Sequence, residues 1–551
     1  MLSKKHIFPV TAVVAVAVRI VFYALFAGTM FRYYHQVSGL DMQTLLRFSE
    51  WGKDNVIPPF FTLHRVLIYL IWKLNGNVHS VDLIFLVQSV AGIFGALGIA
   101  DLVLMLTGRR KAALCAGLLA ALYLPFLIYE FSVLQESLSV NLLIFAVWSL
   151  FKCRSRKFPI GLSIACGIAW GLVLSGRPAA LLLALAAAAG IILYSKKKHY
   201  TLRTLPTFAA ALILLLGAST FNKVTNGRFS PFYNVLPYTV EFNTGKKLDA
   251  AGNEKTNLLL TTAVKMVKRT PQMFSIRELP ENQNLYFWRE KIPECALLPG
   301  PEVLLSLAIF ALALILLSGR WKKKEGLLLW VILLLAVPLC GRDPIGRYRL
   351  LLCPFFIILA AQGITAIKLI PAHGDKKRFF NGNALFTLIP RPRRIIVIVS
   401  LLLSIVAVAY DSCQIRGLRS ADFHAWALAT ESVYGSNDQA TLEAYYDCWK
   451  RSFFRNDLAF CSMAAAAMRA QRYDIALQVI KEAKLGETVN RSKIAYFEGL
   501  YFVARQEPVN VLRAFAPIRP EELPPDLQQF YFRVKADAER FIKKQQIPLN
   551  R

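Results

Sequence analysis

The chain has 551 residues, of which 55% are hydrophobic and only 18% charged, and its formal net charge is +30. A water-soluble fold of this length needs more charge to clothe its surface, so the composition excludes an ordinary soluble protein and points to one with many membrane spans. The positive charge does not mark a nucleic-acid binder, because the basic residues come in short runs between apolar segments and no nucleic-acid motif accompanies them.

Lys4 and Lys5 precede an apolar run from Ile7 to about Ala27. The run resembles a signal sequence, but it is long enough to cross about 30 Å of hydrocarbon and has no clear small-residue cleavage site, so it reads as a retained first helix. With about 20 mostly apolar residues per crossing, spans are expected at 8–28, 82–106, 112–129, 137–151, 159–176, 178–194, 204–221, 301–318, 326–340, 350–369 and 395–410, eleven in all. As one helix, 159–194 would be about 54 Å long. The break at Ser175-Gly176-Arg177-Pro178 makes two short spans the better reading.

The charges set a direction. With the N-terminus in the cytoplasm, the segments inside carry 24 Lys and Arg, in runs such as Arg109-Arg110-Lys111 and Lys322-Lys323-Lys324, while the short outside loops carry only Arg177, Arg342, Arg347 and Arg349. That asymmetry follows the positive-inside rule. It places outside a first loop over about 29–81, a second over about 222–300, and everything beyond about Tyr410. In the first loop, Leu45, Leu46, Phe48 and Trp51, then Phe60, Leu63, Leu67, Leu70 and Ile71, suggest amphipathic helices lying in the interface. The second loop, rich in Asn, Gly, Pro and aromatics, reads either as an ordered loop over a site or as a connector.

The expected division is therefore a membrane domain, 1–410, and an extracytoplasmic α-helical domain, 411–551. In the latter, Ala464 to Ala467, Gln471 to Leu477 and Ala483 suggest a helix, a short turn and a helix with small residues at the crossing. The pattern resembles a tetratricopeptide-type hairpin, and 492–515 suggests another. Cys448 and Cys461 could pair in an extracytoplasmic domain or remain small core residues.

Ionisable residues at or within the membrane are expensive, so each is a candidate for function. Asp41, Glu130, Glu136, Arg177, Arg342, Asp343, Arg347, Tyr348 and Arg349 all fall on the expected outer side, whereas Asp101 lies toward the other end of its span and is expected to pair with Arg109 or Arg110. Arginines can neutralise a phosphate bidentately, and a carboxylate beside them can take a proton from an attacking hydroxyl. Plainer roles compete. Asp41 could cap the helix that follows, Glu136 could cap a helix or pair with an arginine, and Arg177, Arg347 and Arg349 could hold lipid headgroups. His64 has no second His or Cys at ligand spacing and reads as a packed loop residue.

Several stretches resemble the GT-C superfamily of membrane glycosyltransferases, in the branch of the protein O-mannosyltransferases and the lipid A aminoarabinose transferase. They are Leu40-Asp41, Pro58-Pro59-Phe60-Phe61, Val87 to Gly92, Gly108 to Pro125, Leu134-Gln135-Glu136-Ser137-Leu138, Gly171 to Pro178, and Gly346-Arg347-Tyr348-Arg349-Leu350. In matching order they cover about 8–410. Two departures stand out: relatives usually carry a Tyr about three residues after the acid, and Pro354 falls later than in the family's arginine motif.

The resemblance implies a GT-C-like bundle and a hexosyl- or pentosyltransferase that uses a polyprenyl-phosphate sugar, inverts the anomeric carbon, and works at the outer face; the multi-span topology, extracytoplasmic C-terminus and simple N-terminus suit a bacterial inner membrane. It implies Asp41 as general base, Glu136 as a positioning carboxylate, and Arg177, Arg347 and Arg349 as holders of the leaving phosphate, with Tyr348 and Glu130 beside them. The acceptor would be a protein, lipid or glycan, no cofactor is called for, and metal dependence stays open. The C-terminal helices could recruit a protein partner. The competing readings are a transporter or flippase of lipid-linked saccharides, for which internal repeats and midplane charges would be expected, and a non-catalytic scaffold.

Overall fold

The computed structural model describes residues 4–37, 40–43, 81–152, 160–185, 198–226, 253–274, 283–317, 346–367, 419–452, 456–486 and 489–545, with a few single residues between them. The spans expected at 326–340 and 395–410, most of that at 178–194 and of the first-loop interfacial helices, and His64, Arg342 and Asp343 lie outside the described residues. Among the described residues there is no strand. Two compact units are present: Met1–Gly28 with Asp41–Gly417, and Thr29–Leu40 with Leu418–Arg551.

In the first unit the helices are α1 Lys4–Ala27, α2 Asp82–Thr107, α3 Arg110–Leu122, α4 Leu124–Glu130, α5 Glu136–Lys152, α6 Ile160–Gly176, α7 Lys198–Asn226, α8 Asn253–Arg269, α9 Leu285–Lys291, α10 Pro301–Leu317, α11 Gly346–Arg349 and α12 Cys353–Ile367. Three stretches, His6–Ala27, Asp82–Thr107 and Pro293–Ala313, are long and apolar enough to cross a membrane, or four with the bent pair α3–α4 counted as one. Their side chains are sorted for lipid rather than water. Val13 and Ile20 on α1 and Phe94 on α2 are each about two-thirds exposed, while Arg19 on α1 and Gln88 on α2 are buried. Water would reverse that arrangement; hydrocarbon demands it. This is an all-α membrane protein.

The span expected at 112–129 is bent by 47° between α3 and α4. Pro125, in the first turn of α4, has no N–H to give and its ring cannot sit over the preceding turn, so the helix breaks at Tyr123. The Leu124 N–H released by the break donates to Pro299 O at 3.0 Å. Packing runs in a row, with α6 between α7 and α5, α2 between α5 and α3, and α12 between α3 and α10, while α1 lies on α2 and α3. Asp101 corrects the sequence expectation. It accepts from Trp148 Nε1 at 2.8 Å and pairs with Lys152 at 2.6 Å, because α2 packs on α5, which carries both partners.

The second unit holds α13 Ser420–Tyr434, α14 Gln439–Arg451, α15 Asp457–Arg469, α16 Tyr473–Leu485, α17 Arg491–Ala504, α18 Pro508–Phe515 and α19 Pro525–Gln545. Starts recur at a period of 34 residues: α15, α17 and α19 at 457, 491 and 525, and α14 and α16 at 439 and 473. Each helix packs chiefly on its neighbours in sequence, as in a stacked array of hairpins. The repeat reaches the caps. Asn456 accepts from Leu458 N and Ala459 N, and Asn490 from Ser492 N and Lys493 N. Both hairpin turns carry a left-handed glutamine, Gln471 and Gln506. The 3-10 turn Met30–Gln36 packs on α13, with Phe31 edge-on to Trp426 at 5.2 Å. Cys448 and Cys461 are free thiols, which burial pushes up to about 12 and about 11.

Small residues let the hairpins close. Ala464, Ala466 and Ala467 are fully buried, and a Cβ at Gly499 would overlap the Phe515 ring. Gly499→Val should therefore destabilise this unit by about 1–3 kcal/mol through overpacking. Thermal denaturation of the full chain, followed by exchange of peptides from α17 and α18, should show a lowered transition, with Gly499→Ala less affected.

Candidate functional site

Four separated stretches of chain bring charged side chains to the same end of the bundle. Asp41 begins a helical stretch, Asp41–Gln43, so it follows the cap position rather than occupying it. Its neighbour Met42 is buried, and Gln283 from the second loop donates through Nε2 to Met42 Sδ at 3.8 Å. Gln283 Oε1 in turn accepts from Trp288 Nε1 at 2.6 Å. The Trp288 ring stacks on Phe26 and Phe22 of α1, with centroids 5.8 and 5.7 Å away. Gln283 thus ties the chain leading into α9 to the residue beside Asp41.

Glu136 is the first residue of α5, where the helix dipole favours a carboxylate. The chain leading to it, Phe131 to Gln135, is buried and irregular. Irregular backbone at membrane depth needs partners from the protein itself. Gln88 supplies them, its Nε2 donating to Glu130 O at 3.0 Å and Ser132 O at 2.9 Å. Arg177 follows α6 directly. Its N–H still donates to Val173 O at 2.7 Å, while Pro178 prevents the helix from running on. Arg347, Tyr348 and Arg349 make up the short helix α11.

These side chains form one chain of ion pairs. Arg347 Nη1 donates to Asp41 Oδ2 at 2.5 Å, and its Nε lies 3.9 Å from Glu136 Oε1. The same Glu136 oxygen accepts from Arg177 Nη2. The Tyr348 ring sits against both guanidiniums, with its centroid 5.2 Å from Arg177 Cζ and 5.1 Å from Arg347 Cζ, a cation–π arrangement. Its hydroxyl is 3.3 Å from Arg347 Nη2. Glu136, Arg347, Tyr348 and Arg349 are buried, while Asp41 is 42% exposed. The cluster therefore has a closed interior and one carboxylate at an open edge. Glu136 Oε2 is buried with no hydrogen-bond partner.

Of the residues expected from the sequence, Asp41, Glu136, Arg177, Arg347 and Tyr348 meet, and Arg349 stands on the same short helix. Glu130 makes its ion pair elsewhere, with Arg19 of α1 at 2.6 Å. Both are buried, and Gly92 of α2 makes room for them, since a Cβ there would overlap the Glu130 carboxylate and the Arg19 guanidinium. Arg19 is a residue that sequence reasoning passed over, although it carried a signal as a lone cation within an apolar span; Gln88 stood in one of the resembling stretches but had no role assigned to it. The carboxylates a cation would use in the cluster are Asp41 and Glu136, both turned to guanidinium nitrogens, and among the described residues no group of three His, Cys, Asp or Glu stands together.

No family model matches the chain, and neither does any curated protein. Among solved structures, it is similar to the oligosaccharyltransferase of Archaeoglobus fulgidus, crystallised in complex with Zn and sulfate, at 17% identity and a TM-score of 0.39, over 88% of this chain and 57% of that one. The same archaeal enzyme in its apo form, and in complex with an inhibitory peptide and a dolichol-phosphate, matches at 15% identity and a TM-score of 0.39, over 88% of this chain and 60% of theirs. The chain thus spans less than two-thirds of the length of these proteins.

The Arg19–Glu130 pair should reveal itself when one partner is lost. Arg19→Leu leaves a buried carboxylate uncompensated and should cost about 3–5 kcal/mol, read as a lower yield of folded protein and a lowered melting temperature in detergent. Arg19→Leu combined with Glu130→Leu should recover most of that loss.

Proposed function

We propose that this protein is a membrane glycosyltransferase that moves a sugar from a polyprenyl-phosphate donor to an acceptor hydroxyl at the extracytoplasmic face. The observation that carries the reading is the convergence of Asp41, Glu136, Arg177, Arg347 and Tyr348, from stretches up to 306 residues apart, into one ion-paired cluster at the end of an apolar bundle. The order of the sequence motifs supports it independently. A transporter would be expected to hold its charges near the bilayer midplane, and these stand at helix ends.

The chemistry follows from the pairing. The arginines are neutralised by the protein's own carboxylates, and Arg347 holds the Asp41 oxygen that would accept a proton. A donor phosphate competes for Arg347 and Arg177, with Arg349 alongside. Its arrival frees Asp41 Oδ2 at the exposed edge of the site. Asp41 then takes the proton of the acceptor hydroxyl, the acceptor oxygen bonds to the anomeric carbon, and the bond from that carbon to the phosphate oxygen breaks. The sugar is inverted and the lipid phosphate leaves with the electron pair. The guanidiniums stabilise charge that develops as the bond breaks, where preorganised donors act most strongly. Glu136 holds Arg177 and Arg347 in place and presents its second oxygen to the bound substrate. The hairpin array, whose 34-residue period is that of tetratricopeptide repeats, is a platform for a peptide or protein partner.

Transfer from labelled polyprenyl-phosphate sugars in membranes tests this reading. Asp41→Asn should lower kcat by about 10²–10⁴-fold, the usual contribution of a general base, with donor binding intact. Arg347→Lys keeps the charge but loses the planar fork; it should weaken donor binding and kcat together. Undiminished transfer by folded Asp41→Asn would exclude the assigned base.

A further inference from the structure

The helix α19 of the second unit is buried along one face only. Tyr531, Ala538 and Ile542, at i, i+7 and i+11, make up that face, and the Tyr531 ring lies 5.0 Å from the ring of Phe515 in α18. About a quarter-turn round the helix stand Phe530 and Phe541, each 46% exposed and eleven residues, or three turns, apart. Leu527 and Val534 are half-buried and lie between them and the buried face. Leu527, Phe530, Val534 and Phe541 thus follow one another at three, four and seven residues, the spacing of a seam along which two helices pair.

The repeat register explains why the array does not cover this seam. Because α17 and α19 start 34 residues apart, Phe530 holds the place of Tyr496, and Arg533 that of Gly499. In α17 that side is covered by α18. The Tyr496 ring stacks on Phe515 at 6.4 Å, and a Cβ at Gly499 would overlap the same ring. An arginine in the place of Gly499 admits no helix at that distance. Among the described residues, no helix covers on α19 what α18 covers on α17.

The charges beside the seam select its occupant. Asp526, Arg533, Asp537 and Lys544 are exposed and line the flank that faces away from the buried side, with Arg540 next to them and 3.7 Å from Asp537. A second α19 laid antiparallel, with Phe530 of each copy against Phe541 of the other, brings Asp526 level with Lys544 and Arg533 level with Asp537. A two-fold axis across the helices keeps the charged flanks of both copies on the same side, so each of these pairs forms twice. In a parallel pair every charge would meet its own kind. A single helix pair is a modest contact, and confinement of both copies to one membrane raises the effective concentration that a small interface needs.

We propose that α19 is a self-association surface on which a second copy of this chain docks antiparallel, burying Phe530 and Phe541 of both copies and pairing Asp526 with Lys544 and Arg533 with Asp537.

Phe530→Cys and Phe541→Cys, carried on two differently tagged full chains in one membrane, should cross-link under a mild thiol oxidant. Neither variant alone should exceed the wild-type background, since like positions stand about 16 Å apart along an antiparallel pair. In detergent, Arg533→Asp should raise the dissociation constant of the dimer about tenfold, because two attractive pairs become repulsive. Arg533→Asp with Asp537→Arg exchanges the signs and should recover most of that loss, while Phe530→Ser with Phe541→Ser should leave only monomer. All four side chains are exposed, so an unchanged thermal transition of the second unit reports that each variant is folded. A missing mixed cross-link overturns the proposal, as does self-cross-linking of Phe530→Cys, which indicates a parallel pair. A monomeric wild type, association unmoved by Arg533→Asp, or a charge exchange that restores nothing overturns it equally. So does a chain that binds phosphatidylcholine vesicles as a monomer through the two phenylalanines, since the occupant is then lipid. None of these readouts involves sugar transfer, so the inference stands or falls apart from the function proposed above.

Discussion

The Asp41–Arg347–Glu136–Arg177 chain of charges is the constraint on which the first unit depends. Charges taken out of water cost several kcal/mol each unless they are paired and hydrogen-bonded. A chain that buries two arginines and a glutamate at the end of an apolar bundle therefore has to bring their elements together in one arrangement. Helix ends do this work. Asp41 follows α1, Glu136 starts α5, Arg177 closes α6, and Arg347 lies on the short helix before α12. Each of these ends is held by something specific: the Gln283–Met42 grip, the Gln88 hydrogen bonds, the Pro178 stop, and the Tyr348 ring between two guanidiniums.

A second buried pair, Arg19–Glu130, works in the same way. It ties α1 to the end of the bent α3–α4 pair across the small face of α2 at Gly92. The two systems are linked by backbone, since only Phe131 to Gln135 separates Glu130 from Glu136. One ion pair thereby fixes the start of the turn whose end carries the other. The aromatic stack of Phe22, Phe26, Phe131 and Trp288 fills the space around that turn with ring-to-ring contacts of 5.3 to 5.8 Å. Rigid surroundings of this kind let a cluster of charges keep its geometry.

Much of this was legible in the sequence, because the signals were local. Apolar runs located α1, α2, α5, α6, α10 and α12 to within a few residues. Proline and glycine marked the stop at Arg177, and the spacing of small residues and polar turns announced the hairpins of the second unit. The expected site residues were legible for a related reason: an ionisable side chain at the edge of a hydrocarbon layer has few inexpensive explanations. Where the reading missed, the cause was a contact distant in sequence. Asp101 has Arg109 and Arg110 nearby in the chain, yet its partners are Trp148 and Lys152 of α5, because α2 and α5 pack face to face. The bend at Tyr123 was hidden because the apolar run continues without interruption through Pro125.

By itself, then, the sequence determined that this is a helical membrane protein, where six helices of its first unit begin and end to within a few residues, and that Asp41, Glu136, Arg177, Arg347 and Tyr348 fall on one side. Those properties depend on solvent transfer and on backbone stereochemistry, both of which act over a few residues. Only the tertiary structure decided which carboxylate meets which arginine, that Glu130 belongs with Arg19, that Gln88 satisfies the turn before Glu136, and that Thr29–Leu40 folds with the C-terminal helices. Pairings of this kind turn on the direction of individual side chains across packed helices. A shift of one residue in a helix moves a side chain by about 100°, and no composition or periodicity records the outcome.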